Sequence, residues 1–285
     1  MSRATRSVRN WLLSGALLGL CVPALAAVPE ASVKSPQVEN PSRVLFVGNS
    51  YMYYNDSLHN HVQRLVTSAD AAMAGKMQYK SATIGGAALS HHAIEHLTKP
   101  GQIGIKEPFQ LVVLQGGSNE PLSDARRAKL RETVIEFDKV IRARGGKTAL
   151  YMNHAYVKPH KEANPENIRL TEEAYVRVGN EVNALVIPVG LAFEEAYRRK
   201  PGIVLHKHFD GSHPELIGTY LAACTVYASV YGKSPVGIVM TITAESTRTW
   251  LRFCNKSRSI PSKNLTASNG DYGTIVIQEF QCRDS

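Results

Sequence analysis

Short apolar runs that alternate with helix-like segments are the feature that most constrains the fold of this chain. Strands alternating with helices form parallel sheets whose two faces are both covered. The sequence therefore predicts an α/β fold with five parallel strands, at residues 44–47, 77–84, 109–115, 147–152 and 184–189. Helical spacing predicts helices at residues 57–74, 88–97, 124–144, 170–183, 191–199 and 214–231.

The amino terminus resembles a secretory signal. Three arginines precede an apolar stretch at residues 11–22, which is short for a permanent membrane span, and Ala24-Leu25-Ala26 fits the small-x-small cleavage rule. We therefore expect export to the periplasm or the medium, a mature chain that begins at Ala27, and no stable membrane anchor after cleavage. A membrane anchor retained at the amino terminus is the alternative.

The rest of the 285-residue chain divides into three parts, and its length suffices for one domain with a full core. Residues 27–42 are rich in Pro, Ser and Val and are predicted to be a linker. The domain is predicted at residues 43–240. A polar extension at residues 241–285 contains a β-like run at 274–280 and has no functional interpretation.

Charge and cysteine content limit the functional classes. The chain has 33 basic and 24 acidic residues, and removing the three signal arginines leaves 30 − 24 = +6. These charges are scattered, so we expect no nucleic-acid partner, although a mild preference for anionic surfaces is compatible with them. Cys224 lies in an apolar helix and is expected to be a buried small side chain, whereas Cys254 and Cys282 could pair in an exported protein.

Ser50 is the first candidate catalytic residue. It follows the first predicted strand through Gly48 and Asn49, and glycine permits a tight turn there. Ligands of open α/β sheets bind at the carboxyl ends of the strands, and a following helix offers N–H groups to an anion. Ser50 is therefore a candidate nucleophile, with a simple helix cap as the alternative.

Asp210 and His213 form the second candidate pair. A carboxylate three residues before a histidine can accept from one imidazole nitrogen and leave the other free as a base. A helix cap beside a surface histidine is the alternative. Asn119, after the third strand, and the pair Gly85-Gly86, after the second, could donate N–H groups to an oxyanion or could simply form turns.

Together these blocks resemble the SGNH hydrolases, also called GDSL-type esterases and lipases. The family's four blocks correspond here to Gly48-Asn49-Ser50, Gly85-Gly86, Gly117-Ser118-Asn119-Glu120 and Asp210-Gly211-Ser212-His213, and the resemblance spans residues 43–233. Asn49 and Glu120 stand where the family usually has Asp. The chain looks most similar to the bacterial branch of the family that carries Gly-Asn-Ser at the first block.

The resemblance implies a three-layer, flavodoxin-like fold and a serine esterase. Ser50, His213 and Asp210 would be the catalytic residues, and the N–H groups of Ser50 and Gly86 would hold the oxyanion with the Asn119 side chain. The resemblance implies neither a metal nor a cofactor. The expected substrates are carboxylic esters, either acetylated saccharides or short-chain esters. A non-catalytic carbohydrate- or wall-binding protein on the same fold is the alternative.

A second motif suggests a different chemistry. His92-Ala93-Ile94-Glu95-His96 matches the H-x-x-E-H pattern of some zinc peptidases, which requires both histidines on one helix. We consider it a weaker hypothesis because so short a pattern arises easily by chance. His206 and His208 are interpreted as surface or lid histidines. Three tyrosines, Tyr51, Tyr53 and Tyr54, either line a pocket or pack beneath the first helix.

Overall fold

A five-stranded parallel sheet forms the centre of the molecule. The computed structural model describes residues 28–238, so the predicted signal peptide, the carboxyl-terminal extension and its two cysteines lie outside the described residues. The strand order is β2-β1-β3-β4-β5, that of flavodoxin-like folds. The predicted α/β architecture is confirmed, with strands β1 Arg43–Gly48, β2 Gln78–Thr83, β3 Leu111–Leu114, β4 Lys147–Tyr151 and β5 Leu185–Ile187.

Seven α-helices surround this sheet in the described part of the chain. They are α1 Ser50–Tyr53, α2 Leu58–Ala69, α3 Ile94–Thr98, α4 Asp124–Ala143, α5 Glu166–Glu181, α6 Val189–Arg199 and α7 Leu216–Tyr231. Successive strand residues point to opposite faces. Phe46 and Val113 thus join one core with α2, α6 and α7, whereas Leu45 and Val112 join another with α4 and α5.

Two predicted helices differ from the observed ones. The helix predicted at residues 57–74 ends at Ala69 and continues as a separate 3-10 turn, Ala71–Met73. The helix predicted at residues 88–97 is divided into the 3-10 turn Leu89–His91 and α3. Its break lies at His92, whose backbone is extended, with φ −90° and ψ 135°.

Helix α7 is buried on all sides. Every residue from 218 to 230 is buried, including Cys224, which confirms the expectation for that side chain. The helix ends at Gly232, which adopts a left-handed conformation with φ +62° and donates its N–H to Ala228. Its amino-terminal end lies directly after the predicted Asp210–His213 block and so carries that block to the sheet edge.

The segment at residues 28–42, predicted as a linker, packs against the domain. Asn180 on α5 donates to the carbonyl of Glu30 (2.9 Å) and accepts from the N–H of Ser32 (2.8 Å). Val33 is buried in the core, and the Tyr231 hydroxyl donates to the carbonyl of Pro41 (2.8 Å). A cavity of about 310 Å³ lies between this segment and β5. None of the predicted catalytic residues lines it.

Between residues 28 and 238, none of the helices combines the length and the apolarity needed to cross a membrane.

Candidate active site

Ser50 lies at the carboxyl edge of the sheet, as the first residue of α1. Asn49 caps that helix by accepting from the N–H of Tyr51 (3.2 Å). Gly48 is required by the packing, because an added Cβ would lie 2.3 Å from Oε1 of Gln115. The strand end therefore turns sharply and presents Ser50, which is 7% exposed.

The structure brings Ser50, His213 and Asp210 into one hydrogen-bonded chain. His213 Nε2 lies 2.8 Å from Ser50 Oγ, and His213 Nδ1 lies 2.6 Å from Asp210 Oδ2. The other Asp210 oxygen accepts from the N–H groups of Ser212 (2.8 Å) and His213 (3.0 Å). Burial raises the pKa of Asp210, but these hydrogen bonds outweigh it and the net pKa is lowered. Asp210 is therefore a charged carboxylate that orients the imidazole.

Aromatic rings fix His213 from two sides. Tyr54 stacks on its imidazole, with ring centroids 4.4 Å apart, and Tyr51 packs edge-on at 6.0 Å. Tyr51 is buried, whereas Tyr53 is 40% exposed and stacks against Tyr54. Packing is thus confirmed for Tyr51, whereas a pocket lined by Tyr53 or Tyr54 stays a prediction.

The predicted oxyanion donors come from three loops at this edge. The N–H of Ile84 donates to the carbonyl of Gly48 (3.1 Å), which holds the Gly85-Gly86 turn beside the Ser50 block. Gly86 adopts a left-handed conformation with φ +68°, and both glycines are exposed. Asn119 is half-buried at the start of the 3-10 turn Glu120–Leu122. The assignment of Gly86, rather than Gly85, as the donor stays a prediction.

A buried network of amide side chains connects the ends of three strands. Gln115 accepts from the N–H of Asn49 (2.9 Å) and donates to the side-chain oxygens of Asn49 (3.0 Å) and Asn153 (2.9 Å). The Asn49 amide donates to the carbonyls of Ala87 and Gly116, both at 3.2 Å. Sequence reasoning missed Gln115 and Asn153 as site residues. The sequence signal available for both was a polar side chain within two residues of the end of a buried strand.

No protein-family profile and no curated sequence matches the chain. Solved structures do match. A candidate SGNH hydrolase from Slackia heliotrinireducens shares 22% identity with a TM-score of 0.54, over 67% of this chain and 99% of that one. The acetyl xylan esterase AlAXEase shares 16% identity, with a TM-score of 0.53 over 66% and 98% of the two chains.

A third structure agrees with these two. It is a catalytic mutant of an acetylxylan esterase from Geobacillus stearothermophilus, with 15% identity and a TM-score of 0.53 over 70% of this chain and 98% of that one. The chain has the SGNH hydrolase fold.

Glu120 shows how this SGNH hydrolase fold accommodates its departure from the usual Asp. The side chain is 4% exposed, and its Oε2 accepts from the N–H groups of Leu89 (3.1 Å) and Gly117. Glu120 thereby connects two loops. One follows β3 and carries Asn119, and the other follows β2 and carries Gly86 and Leu89. The hydrogen bonds of Glu120 therefore stabilise the arrangement of the second block, Gly85-Gly86, relative to the third, which contains Asn119.

Asn55 connects the serine block to the histidine block of the SGNH fold. Its side chain donates to the carbonyl of Pro214 (2.9 Å) and to Oγ1 of Thr219 (2.8 Å), and its carbonyl accepts from His61 Nε2 (2.7 Å). Residues 55–57 all have left-handed backbones, with φ of 54°, 68° and 59°. Such conformations are strained for non-glycine residues and persist where other contacts over-determine them.

The zinc-peptidase pattern does not form a common site on this SGNH fold. His92 is buried two residues before α3 begins, whereas Glu95 and His96 are exposed and Glu95 pairs with Arg144 (2.7 Å). The single helix that the pattern requires is interrupted at His92. In the described range, 28–238, no three His, Cys, Asp or Glu side chains come together as metal ligands would.

His206 corrects a second expectation. It was predicted as a surface or lid histidine together with His208, which is exposed as expected. His206 is only 3% exposed, and its Nδ1 lies 2.6 Å from the Tyr197 hydroxyl. Burial lowers its pKa to about 4. The local sequence gave no sign of this burial, because the partners of His206 lie on α6 and in the segment that follows β4.

Proposed function

We propose that this chain is an exported serine hydrolase of the SGNH family that cleaves carboxylic esters. The observation that carries the proposal is the position of His213 between Ser50 Oγ (2.8 Å) and Asp210 Oδ2 (2.6 Å). Acyl transfer requires a nucleophile that is hydrogen-bonded to a base, and a carboxylate that orients this base. The esterases with the same fold support this assignment.

The mechanism has two acyl-transfer steps. Ser50 Oγ attacks the ester carbonyl as its proton passes to His213 Nε2, and Asp210 stabilises the imidazolium. The N–H groups of Ser50 and Gly86 and the Asn119 amide hold the oxyanion. The alcohol leaves with the proton from His213, which forms an acyl-Ser50 ester. Water, deprotonated by His213, then attacks this ester; the bond between Ser50 Oγ and the acyl carbon breaks, the acid is released, and His213 returns the proton to Ser50 Oγ.

The proposed substrate is a short-chain ester, with an acetylated saccharide as the leading candidate. Tyr53 is partly exposed, and its ring stacks on that of Tyr54, with centroids 5.6 Å apart. Tyr54 in turn stacks on His213. Sugar rings pack well on such faces because their C–H groups present an apolar surface. Export to the periplasm or the medium would bring the enzyme to saccharides of that kind.

The test is hydrolysis of p-nitrophenyl esters of increasing acyl length, and release of acetate from acetylated oligosaccharides. Ser50→Ala is expected to lower kcat/KM by at least about 10³-fold. Ser68→Ala, which removes an exposed hydroxyl on α2, serves as the matched control and should leave the rate unchanged. Equal rates in Ser50→Ala and the parent would contradict the mechanism. Activity on p-nitrophenyl acetate without acetate release would contradict the saccharide assignment.

Export is tested separately from chemistry. The exported protein is expected to begin at Ala27, which mass spectrometry of its intact chain can measure. A full-length mass in the exported fraction would contradict the signal assignment and leave the esterase proposal untouched.

A further inference from the structure

The loop that carries both Asp210 and His213 makes hydrogen bonds to two residues, His154 and Tyr51, that have no part in the proposed mechanism. Ser212 lies between the two and is 8% exposed. Its N–H bonds to Asp210, so a shift of the Ser212 backbone would move the carboxylate and the imidazole together. The contacts that fix Ser212 therefore contribute to the alignment of His213 with Ser50, together with the bond from the Lys207 N–H to the His213 carbonyl (2.7 Å).

His154 makes the main contact with the Ser212 backbone. It follows β4 by three residues and is 2% exposed. Its Nε2 lies 2.9 Å from the Ser212 carbonyl. Because a carbonyl can only accept, Nε2 carries the proton. Nδ1 of His154 has no hydrogen-bond partner in the part of the chain that the structure describes. Burial, with His206 nearby, places the pKa of His154 well below its usual value, so the ring is neutral.

The orientation of the His154 ring is fixed by an aromatic stack. The ring lies between Tyr51, at 4.1 Å and 17°, and Phe193, at 4.5 Å and 7°. His206 packs edge-on against it at 4.8 Å. Because both faces are covered, the stack fixes the plane of the ring, and within that plane Nε2 faces the Ser212 carbonyl.

Tyr51 adds a second attachment to the same residue. Its hydroxyl lies 2.9 Å from Ser212 Oγ. Tyr51 is also the neighbour of Ser50 in the chain, so the stack ties the nucleophile's own helix to the loop of the base. Ser212 is thus held at its carbonyl by His154 and at its hydroxyl by Tyr51.

We propose that His154 is a positioning residue that sets the alignment of Asp210 and His213 with Ser50 by donating to the Ser212 carbonyl. This inference rests on the proposed function. His154 reaches the reacting atoms only through Ser212. Small misplacements of catalytic groups are costly, since about 1 Å can reduce a rate about 10²-fold.

The test compares two substitutions at this position with one control. His154→Phe keeps the stacked ring and removes the donor, and is expected to lower kcat about 10- to 100-fold while KM changes less than about threefold. His154→Gln keeps a donor near the same place and is expected to recover most of that loss. His59→Phe is the control, because it replaces a half-buried imidazole on α2, beside Phe46 and away from Ser212.

A second readout does not depend on activity. In a Ser50→Ala background, proton NMR at low temperature follows the low-field signal of the hydrogen between His213 Nδ1 and Asp210. We expect that signal to shift or broaden in His154→Phe and to stay unchanged in His154→Gln and His59→Phe. If His154→Phe does not fold, His154→Leu, which also lacks a donor, replaces it.

The outcomes separate the two proposals. An unchanged kcat and an unchanged signal in the donor-free variant would overturn the positioning role. Equal losses in the donor-free variant and in His59→Phe would overturn it too, because they would indicate general destabilisation. If the parent cleaves no ester, the proposed function fails, and the NMR comparison alone decides whether His154 aligns the pair.

Discussion

At the scale of single residues, Asn49 combines several structural tasks next to the proposed nucleophile. Its side-chain oxygen accepts from Tyr51 and Gln115, and its amide nitrogen donates to two carbonyls. The side chain is 3% exposed, so each of these bonds lies away from solvent. An amide satisfies two donors and two acceptors at once, which a carboxylate cannot do.

Asn49→Asp, which introduces the residue that SGNH hydrolases usually have at this position, is therefore expected to destabilise this chain. The carboxylate would face the carbonyls of Ala87 and Gly116 in a buried place, at a cost of about 3 kcal/mol in the free energy of unfolding. Urea unfolding at pH 7 measures it. Asn164→Asp, an exposed site where only the side-chain oxygen is used, should change stability by less than about 0.5 kcal/mol. Equal effects at both sites would contradict the argument.

The site residues could be predicted from the sequence where they belong to a short local motif. Ser50, Asp210 and His213 were found because a strand end and an Asp-x-x-His spacing are visible locally. Gln115, Asn153 and His154 were not, because their partners lie 66, 38 and 58 residues away. An amide or imidazole at a strand end looks like any polar loop residue until the sheet brings the strand ends together.

At the scale of elements, the helix predicted at residues 88–97 shows where periodicity fails. The N–H of Leu89 bonds to the Glu120 carboxylate, and burial of His92 requires an extended backbone there. Tertiary contacts thus interrupted a locally plausible helix. Element order and the strand cores were predictable because they depend on hydrophobic spacing, whereas this break depends on a residue 31 positions away.

Helix α7 contains a buried hydroxyl whose effect on stability can be tested. Ser229 is 4% exposed, and its hydroxyl has no hydrogen-bond partner within residues 28–238. A buried hydroxyl without a partner costs stability. Ser229→Ala is expected to raise the free energy of unfolding by about 1 kcal/mol.

The matched control lies one turn earlier on the same helix. Thr225 is fully buried, and its hydroxyl donates to the carbonyl of Leu221 (2.8 Å). Thr225→Val is expected to lower stability by about 1 kcal/mol, since it removes a satisfied bond. Urea unfolding of both variants at pH 7 is the measurement. A loss in Ser229→Ala would indicate that the hydroxyl has a partner after all.

At the scale of the whole molecule, buried histidines make stability depend on pH. Burial lowers the pKa of His59, His61, His92, His154 and His206. The unfolded chain takes up protons near the ordinary value of 6.5, whereas the folded chain resists them. Stability is therefore complete above pH 6.5 and falls as the pH decreases from there towards each folded-state pKa.

His206 gives this dependence a magnitude. Its pKa falls from 6.5 to about 4, so its contribution of about 3 kcal/mol should be lost between those values. We expect His206→Gln to be less stable than the parent at pH 7 but to lose less stability between pH 6.5 and 4. Urea unfolding across that range measures the slope. His208→Gln, which removes an exposed imidazole, is the control, and equal slopes in the parent and His206→Gln would contradict the assignment.

The distance between Ser50 and His213 along the chain has a consequence for biosynthesis. The two are separated by 163 residues, and the loop of His213 takes its position from α7, which follows it. A growing chain therefore carries its nucleophile long before it carries its base. Under the proposed function, the unfinished protein cannot attack esters while it is still being made, and truncated products that end before residue 213 are inert.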